Sequence, residues 1–300
     1  MSDAIALTEY GGPEVLHLID LPPAAPGPGQ VRIRVRAASV NPFDLKVRQG
    51  AMGGTASADA PVVLGLDAAG VVEQVGDGVE LQVGDEVFGI AESGAYRQQA
   101  LLSRAIAKPR DLSFELAASV VTVGRTAERV LAELGVHAGQ TLLVHGAAGS
   151  VGVLAAQLAV SRGIAVVGTA GERDLEWLST LGVRPARYGP GWMERVRQAA
   201  PQIDLIFDAS GAGVLADSVE LVGDPAKVVT IADPAAAEHG VRFSSGGPDP
   251  SGQTLPTLAQ LAADGVLTLP IGATYPLAEA ATAHADIEAR RSRGKVVLLP

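Results

Sequence analysis

The run TLLVHGAAGSVGVLAAQL (141–158) sets glycines at 146, 149 and 152 between an apolar β-type segment and a helical pattern. Val151, Leu154, Ala155 and Leu158 fall at i, i+3, i+4 and i+7, one face of a helix that begins on the glycine turn. Such a turn suits a pyrophosphate. Glycines let the anion approach backbone N–H groups that a Cβ would obstruct, and a helix N-terminus adds partial positive charge. The spacing alone also occurs in loops that bind nothing. Its position between strand and helix, with a further βαβ unit downstream, points to a dinucleotide held by Gly146, Ala148, Gly149, Ser150, Val151 and Gly152.

The second strand of the unit decides which dinucleotide. An acidic residue there would hold a ribose 2′-hydroxyl, but AVVGTAGERD (165–174) offers Thr169 instead. Arg173 and Tyr188 follow, and a guanidinium and a phenol can both hydrogen-bond a 2′-phosphate. NADPH is therefore the expected cofactor. The competing reading makes Arg173 an exposed helix-start residue whose field is weakened by Glu172.

Other chemistries are excluded or lack support. The chain has 300 residues and no cysteine, so thiolate nucleophiles, disulfides and sulfur-ligated zinc are absent. Its five histidines, at 17, 137, 145, 239 and 284, form no HxxxH pair. Ser210 in DASG (208–211) follows a strand, but the GxSxG elbow of a serine nucleophile is missing. A net charge of −10 has the wrong sign for nucleic acid or anionic lipid. The N-terminal MSDAIALTEYGG is acidic where a signal peptide is basic, so a cytoplasmic protein is expected. Thr141–Ser161 lacks charge, but its three glycines suit a strand, turn and helix rather than a membrane span.

These residues need elements to position them. VRIRVRA (31–37) alternates Val31, Ile33 and Val35 with Arg32, Arg34 and Arg36, the pattern of a half-buried strand. Short β-type runs at 61–65, 70–75 and 85–90, separated by Gly-Asp turns, make the first ~115 residues mainly β. Beyond Pro109, strands at 141–145, 165–169, 203–208 and 227–232 alternate with helices from Ser150, near 174–181 and near 214–222. That rhythm predicts a parallel sheet covered on both faces. The tail reads as a helix near 255–263, short strands around 266–269, a long helix within 279–294 and a closing strand at 295–299.

In their order, the segments SVNPFDLKVRQG (39–50), PVVLGLDAAGVVEQVG (61–76), VGDEVFG (83–89), GAYRQQ (94–99), HGAAGSVG (145–152) and RGKVVL (293–298) resemble the medium-chain dehydrogenase/reductase superfamily, in its zinc-independent quinone oxidoreductase-like branch. The resemblance covers nearly the whole chain. It implies an α/β protein with a GroES-like β domain, a Rossmann doubly wound parallel sheet and a cofactor cleft between them. The expected division is 1–118 with 257–300 for the GroES-like domain and 119–256 for the Rossmann domain. Where zinc-dependent members carry a catalytic cysteine, this chain has Asn41. Where they carry Gly-His-Glu, it has Gly65-Leu66-Asp67. Leu66 cannot bind a metal.

The resemblance thus implies metal-free hydride transfer from NADPH to a quinone or an α,β-unsaturated carbonyl, with an enoyl-thioester or 2-alkenal reductase and a redox-inactive NADPH-binding accessory protein as the alternatives. It places Asn41 near the nicotinamide, where its amide can donate to a developing oxyanion. An Asn-Pro turn in which Asn41 bonds its own backbone is the competing reading. Tyr96 is a candidate phenol donor or a packing residue beside a turn. Asp44 and Lys46 are expected as an ion pair outside the chemistry. By the same resemblance Ser210 borders the cofactor, Phe243 and Ser244 wall the nicotinamide pocket, the loop GGPDPSG (246–252) lies near it, and the protein is a homodimer acting on a small molecule.

Overall fold

The computed structural model describes residues 2–247 and 252–300. The chain forms two compact units. The first comprises Met1–Thr122, Leu255–Asp264 and Leu269–Pro300, and the second comprises Val123–Thr254 and Gly265–Thr268.

The first stretch of chain supplies β1 (Ser2–Leu7), β2 (His17–Leu21), β3 (Gln30–Val40), α1 (Pro42–Arg48), β4 (Val62–Val63), β5 (Asp67–Val75), β6 (Glu86–Ile90), β7 (Gln99–Ser103), β8 (Ile106–Ala107) and α2 (Phe114–Leu134). The run at 61–65 thus shortens to the two residues of β4, which pair with β1. The long strand β3 is the hub of the larger sheet, pairing antiparallel with β5, β7 and the last strand of the chain. Its alternation behaves as the sequence requires: Val31, Ile33 and Val35 are buried, while the arginines between them lie on the other face. Burying a branched side chain of this size stabilises by about 1.5–3 kcal/mol. Register shifts in the β3–β5 pairing mark bulges that increase local twist.

The middle stretch runs β9 (Thr141–His145), α3 (Ser150–Ser161), β10 (Ala165–Ala170), α4 (Leu175–Thr180), β11 (Arg184–Arg187), α5 (Trp192–Ala199), β12 (Leu205–Asp208), α6 (Leu215–Val222), β13 (Val228–Thr230) and β14 (Arg242–Phe243). Its six strands are all parallel, in the order β11-β10-β9-β12-β13-β14. The core includes Leu143, Val167 and Ile206 on the strands, with Trp192, Val196 and Leu215 from the helices.

The tail contributes α7 (Thr254–Ala263), β15 (Ile271–Pro276), α8 (Ala280–Glu288) and β16 (Lys295–Leu299), with β16 pairing both β15 and β3. Two expectations are corrected here. Residues 266–269 form no strand, because the Gln157 side-chain amide takes the place of a ladder partner: it accepts from Thr268 N–H at 2.7 Å and donates to the Thr268 carbonyl at 2.9 Å. The helix in 279–294 stops at Glu288, and Arg290 adopts a positive φ of 52° that ends the turn. Of the loop 246–252, residues 248–251 lie outside the described residues.

Candidate functional site

In the second unit the chain leaves β9, goes to one side through β10 and β11, and returns on the other side of β9 as β12. The C-terminal ends of β9 and β12 therefore flank a topological switch point, where open α/β sheets bind ligands. His145 and Asp208 are register partners at those two ends. Gly146 follows His145 with a φ of +72°, which an L side chain rarely adopts. A Cβ on Gly152 would lie 2.3 Å from the Gly146 carbonyl oxygen, so the first turn of α3 can close on the loop only with glycine there. Gly149 caps α3, and Ser150, Val151 and Gly152 form its first turn, whose amides have no intrahelical acceptor. The glycines make the cradle that a pyrophosphate needs.

Thr169 near the end of β10 is buried, and its hydroxyl meets His145 Nδ1 at 3.1 Å. The other ring nitrogen of His145 meets Ser218 Oγ at 3.2 Å, and the ring stands edge-on to Trp192. Burial lowers the His145 pKa to about 4, so the imidazole is neutral at physiological pH. Thr169 thus turns inward. The groups facing solvent beyond β10 are Arg173, Arg187 and Tyr188, with side chains 70% and 64% exposed for the arginines. Arg173 ion-pairs with Asp174 and Arg187 with Glu172, at 3.7 and 3.6 Å, which leaves both guanidiniums open to solvent and further acceptors. The Tyr188 ring lies beside Gly171, where a Cβ would sit 3.4 Å from it.

The remaining expected residues of this unit fall in two places. Ser210 follows β12 and its Cβ is 3.2 Å from where a Cβ of Gly146 would be, so it belongs to the wall of the glycine turn. Phe243 is 43% exposed on the outermost strand β14. Ser244 is buried, and its hydroxyl is bound to Arg129 Nε at 2.9 Å and Glu133 at 3.0 Å, so it is turned onto α2.

A second polar cluster lies in the first unit. Asn41 ends β3 and precedes α1, where Pro42 starts the helix and the Asp44 carboxylate accepts the Asn41 backbone N–H at 2.8 Å. The Asn41 side chain does not cap its own helix. It donates through Nδ2 to Asp67 at 2.8 Å and accepts from the Lys295 ammonium at 2.8 Å. Asp67 also accepts from Ser39 at 2.8 Å and from Thr122 at 2.5 Å. Burial holds the Lys295 pKa below its ordinary value, against the opposing pull of Asp67 and Asp44.

Asp44 connects this cluster to Tyr96, whose hydroxyl donates to Asp44 Oδ2 at 3.2 Å. Beyond it, His284 Nε2 lies 3.1 Å from the Tyr96 oxygen, and Arg48 lies 3.4 Å from His284 Nδ1 and pairs with Glu288. Arginine can only donate, so Nδ1 is the acceptor and Nε2 carries the proton toward Tyr96. Burial pushes the Asp44 pKa up to about 7, partly offset by the Asn41 N–H, and it drives the Tyr96 phenol well above its ordinary value. The expectation for Asp44 and Lys46 is corrected: two positions apart on α1 they point opposite ways, Asp44 inward and Lys46 to solvent. Tyr96 is buried with its hydroxyl bound to Asp44 and His284.

Sequence reading missed Lys295, His284 and Arg48. A lysine within the apolar run KVVLL is the one signal that was available, since a charge there must be paired inside the fold. Among the described residues, no three His, Asp or Glu side chains stand together as a metal site. None of the helices described is long and apolar enough to cross a membrane.

Residues 27–133 match the family model described as alcohol dehydrogenase GroES-like domain, and residues 183–298 match the one described as zinc-binding dehydrogenase. A quinone oxidoreductase of Pseudomonas aeruginosa is 31% identical over 335 residues, covering 100% of both chains. The solved quinone oxidoreductase of Coxiella burnetii superposes with a TM-score of 0.87 at 30% identity, covering 100% of this chain and 99% of that one. A mycobacterial protein solved in complex with NADPH gives a TM-score of 0.85 at 29% identity, with 100% of both chains covered.

Proposed function

The chain belongs to the medium-chain dehydrogenase/reductase superfamily, in its quinone oxidoreductase-like branch, and from that premise we propose that this NADPH-dependent oxidoreductase reduces a quinone or an α,β-unsaturated carbonyl without a metal. The observation that carries the reading is the glycine turn at the β9–α3 junction, whose backbone fits a pyrophosphate, together with Arg173, Arg187 and Tyr188, which stand exposed just past β10 and at the end of β11. When bound, NADPH supplies a hydride to an acceptor that is already electrophilic.

The chain's own residues bind, orient and stabilise. Gly146, Ala148, Gly149, Ser150, Val151 and Gly152 offer backbone amides to the pyrophosphate, and Arg173 with Tyr188 receives the 2′-phosphate. Asn41 is the candidate donor to the acceptor's oxygen: Asp67 takes one Nδ2 hydrogen and Lys295 fixes Oδ1, which leaves the second Nδ2 hydrogen as the amide's uncommitted donor. Leu66 and the cysteine-free sequence support a metal-free reaction. A small-molecule substrate, a cytoplasmic location and a homodimer belong to the same reading. β14, at the open edge of the parallel sheet, leaves a row of backbone groups on which two copies can pair.

The test is loss of NADPH absorbance in the presence of a panel of quinones, enals, enones and enoyl thioesters. Turnover with quinones or conjugated carbonyls is expected. Tight NADPH binding with no oxidation by any acceptor would replace this reading with that of a redox-inactive accessory protein.

A further inference from the structure

Asp208 is a fully buried carboxylate at the C-terminal end of β12, and the hydrogen bonds its side chain accepts come from the 210–211 loop and from the end of β13. Its Oδ1 accepts from Ser210 N–H at 2.9 Å, Ser210 Oγ at 2.7 Å and Gly211 N–H at 3.2 Å, and its Oδ2 accepts from Thr230 Oγ1 at 2.8 Å. The Thr230 hydroxyl in turn accepts from the backbone N–H groups of Ala232 and Asp233, both at 3.1 Å. Two strand-end loops therefore hang on one carboxylate. The loop is also tied to β9, because Ala209 N–H donates to the His145 carbonyl at 3.1 Å.

What this hub holds is the wall of the dinucleotide turn. A Cβ on Gly146 would meet Ser210 Cβ at 3.2 Å and the Ala209 carbonyl carbon at 3.3 Å, so the turn and the 209–211 loop are packed backbone against backbone. Gly211, at φ +60°, would meet the Ala232 carbonyl oxygen at 2.9 Å with any larger residue. The Ser210 hydroxyl is consumed by Asp208 and by Ala212 N–H, leaving the backbone of residues 209–211 as the part of this wall that faces the turn.

We infer that Asp208 is a positioning residue for the dinucleotide: by gathering the 209–211 and 230–233 loops it fixes the shape of the Gly146–Gly152 turn, and so sets affinity without touching the cofactor. This rests on the proposed use of NADPH. A buried acceptor with four donors has no substitute when removed, because each donor left behind is unsatisfied. Asparagine keeps an oxygen for the three loop donors, whereas alanine keeps none.

The experiment compares wild type, Asp208→Ala and Asp208→Asn by NADPH fluorescence titration, thermal melting and amide hydrogen exchange. Asp208→Ala is expected to weaken NADPH binding about tenfold, the size that follows from an orphaned buried donor set. It should also speed exchange at both 209–212 and 146–149. Asp208→Asn should recover most of the affinity. An Asp208→Ala protein that melts earlier but binds NADPH as wild type does, or whose faster exchange is confined to 209–212, overturns the inference. If Asp208→Ala does not fold, Thr230→Val takes its place: weakened NADPH affinity with faster exchange at 146–149 supports the inference, and wild-type affinity in that variant overturns it. Wild-type protein that binds no NADPH removes the proposed function instead, and the exchange measurement alone then decides the coupling between loop and turn.

Discussion

Lys295 donates to the Asn41 side-chain oxygen at 2.8 Å, and this contact decides which way the Asn41 amide points. With the ammonium on Oδ1 and the Asp67 carboxylate on Nδ2, a flipped amide would set donor against donor and acceptor against acceptor. The closing strand β16 thereby reaches back to the start of α1. Replacing Lys295 by Met is expected to cost about 1–3 kcal/mol, because the Val40 carbonyl and the Asn41 side-chain oxygen lose their buried donor and Asp67 loses a nearby positive charge. Urea unfolding measures it, and adding Asp67→Asn should recover part of the loss if the two charges depend on one another.

The raised Asp44 pKa predicts a particular pH dependence. A carboxyl that titrates near 7 in the fold and near 3.8 when unfolded stabilises fully below the lower value, and that contribution is lost as pH rises through 7. His284 and His145 act oppositely: with folded pKa values of about 3 and about 4 against 6.5, they add stability above 6.5 that is lost as pH falls. For these three groups stability peaks near pH 6.5. Thermal melting across pH 4–9 should show that peak, and Asp44→Asn should abolish the decline on its alkaline side and steepen the rise on its acid side.

At Gly152 the crowding is steric. Gly152→Ala pushes a methyl to within 2.3 Å of the Gly146 carbonyl oxygen, so either the turn or the start of α3 must move. NADPH affinity should fall at least tenfold, about 1.4 kcal/mol or more, by fluorescence titration. Wild-type affinity in this variant would remove the turn from the binding site.

Discrimination between the two nicotinamide cofactors should reside in Arg173 and Tyr188. Arg173→Ala is expected to weaken NADPH about tenfold while leaving NADH nearly unchanged, since a guanidinium–phosphate contact is charge-assisted and NADH has no 2′-phosphate. Equal loss for both cofactors would assign Arg173 to helix packing.

Much of the fold could be read from residue order. The glycine turn, the alternation in β3 and the βαβ rhythm are local patterns, because strand and helix periods and glycine's conformational range act over a few neighbouring residues. The misreadings have a tertiary cause. Residues 266–269 carry a strand-like pattern, but the backbone of Thr268 is bound on both its N–H and its carbonyl by Gln157, more than a hundred residues away in sequence. Lys46 and Asp44 look like a pair in sequence and are separated by the helix that carries them.

The sequence by itself determined the dinucleotide turn, the threonine in place of an acid at the end of the second parallel strand and the absence of sulfur ligands, since these depend only on which residues are present and how closely they are spaced. Only the tertiary structure decided that Thr169 turns inward to His145, that Tyr96 is an internal group, and that Asn41 is clamped between Asp67 and Lys295. The reason is that buried polar atoms must find partners wherever the fold brings them. Lys295 and Asn41 are 254 residues apart, and nothing local in either segment specifies the other.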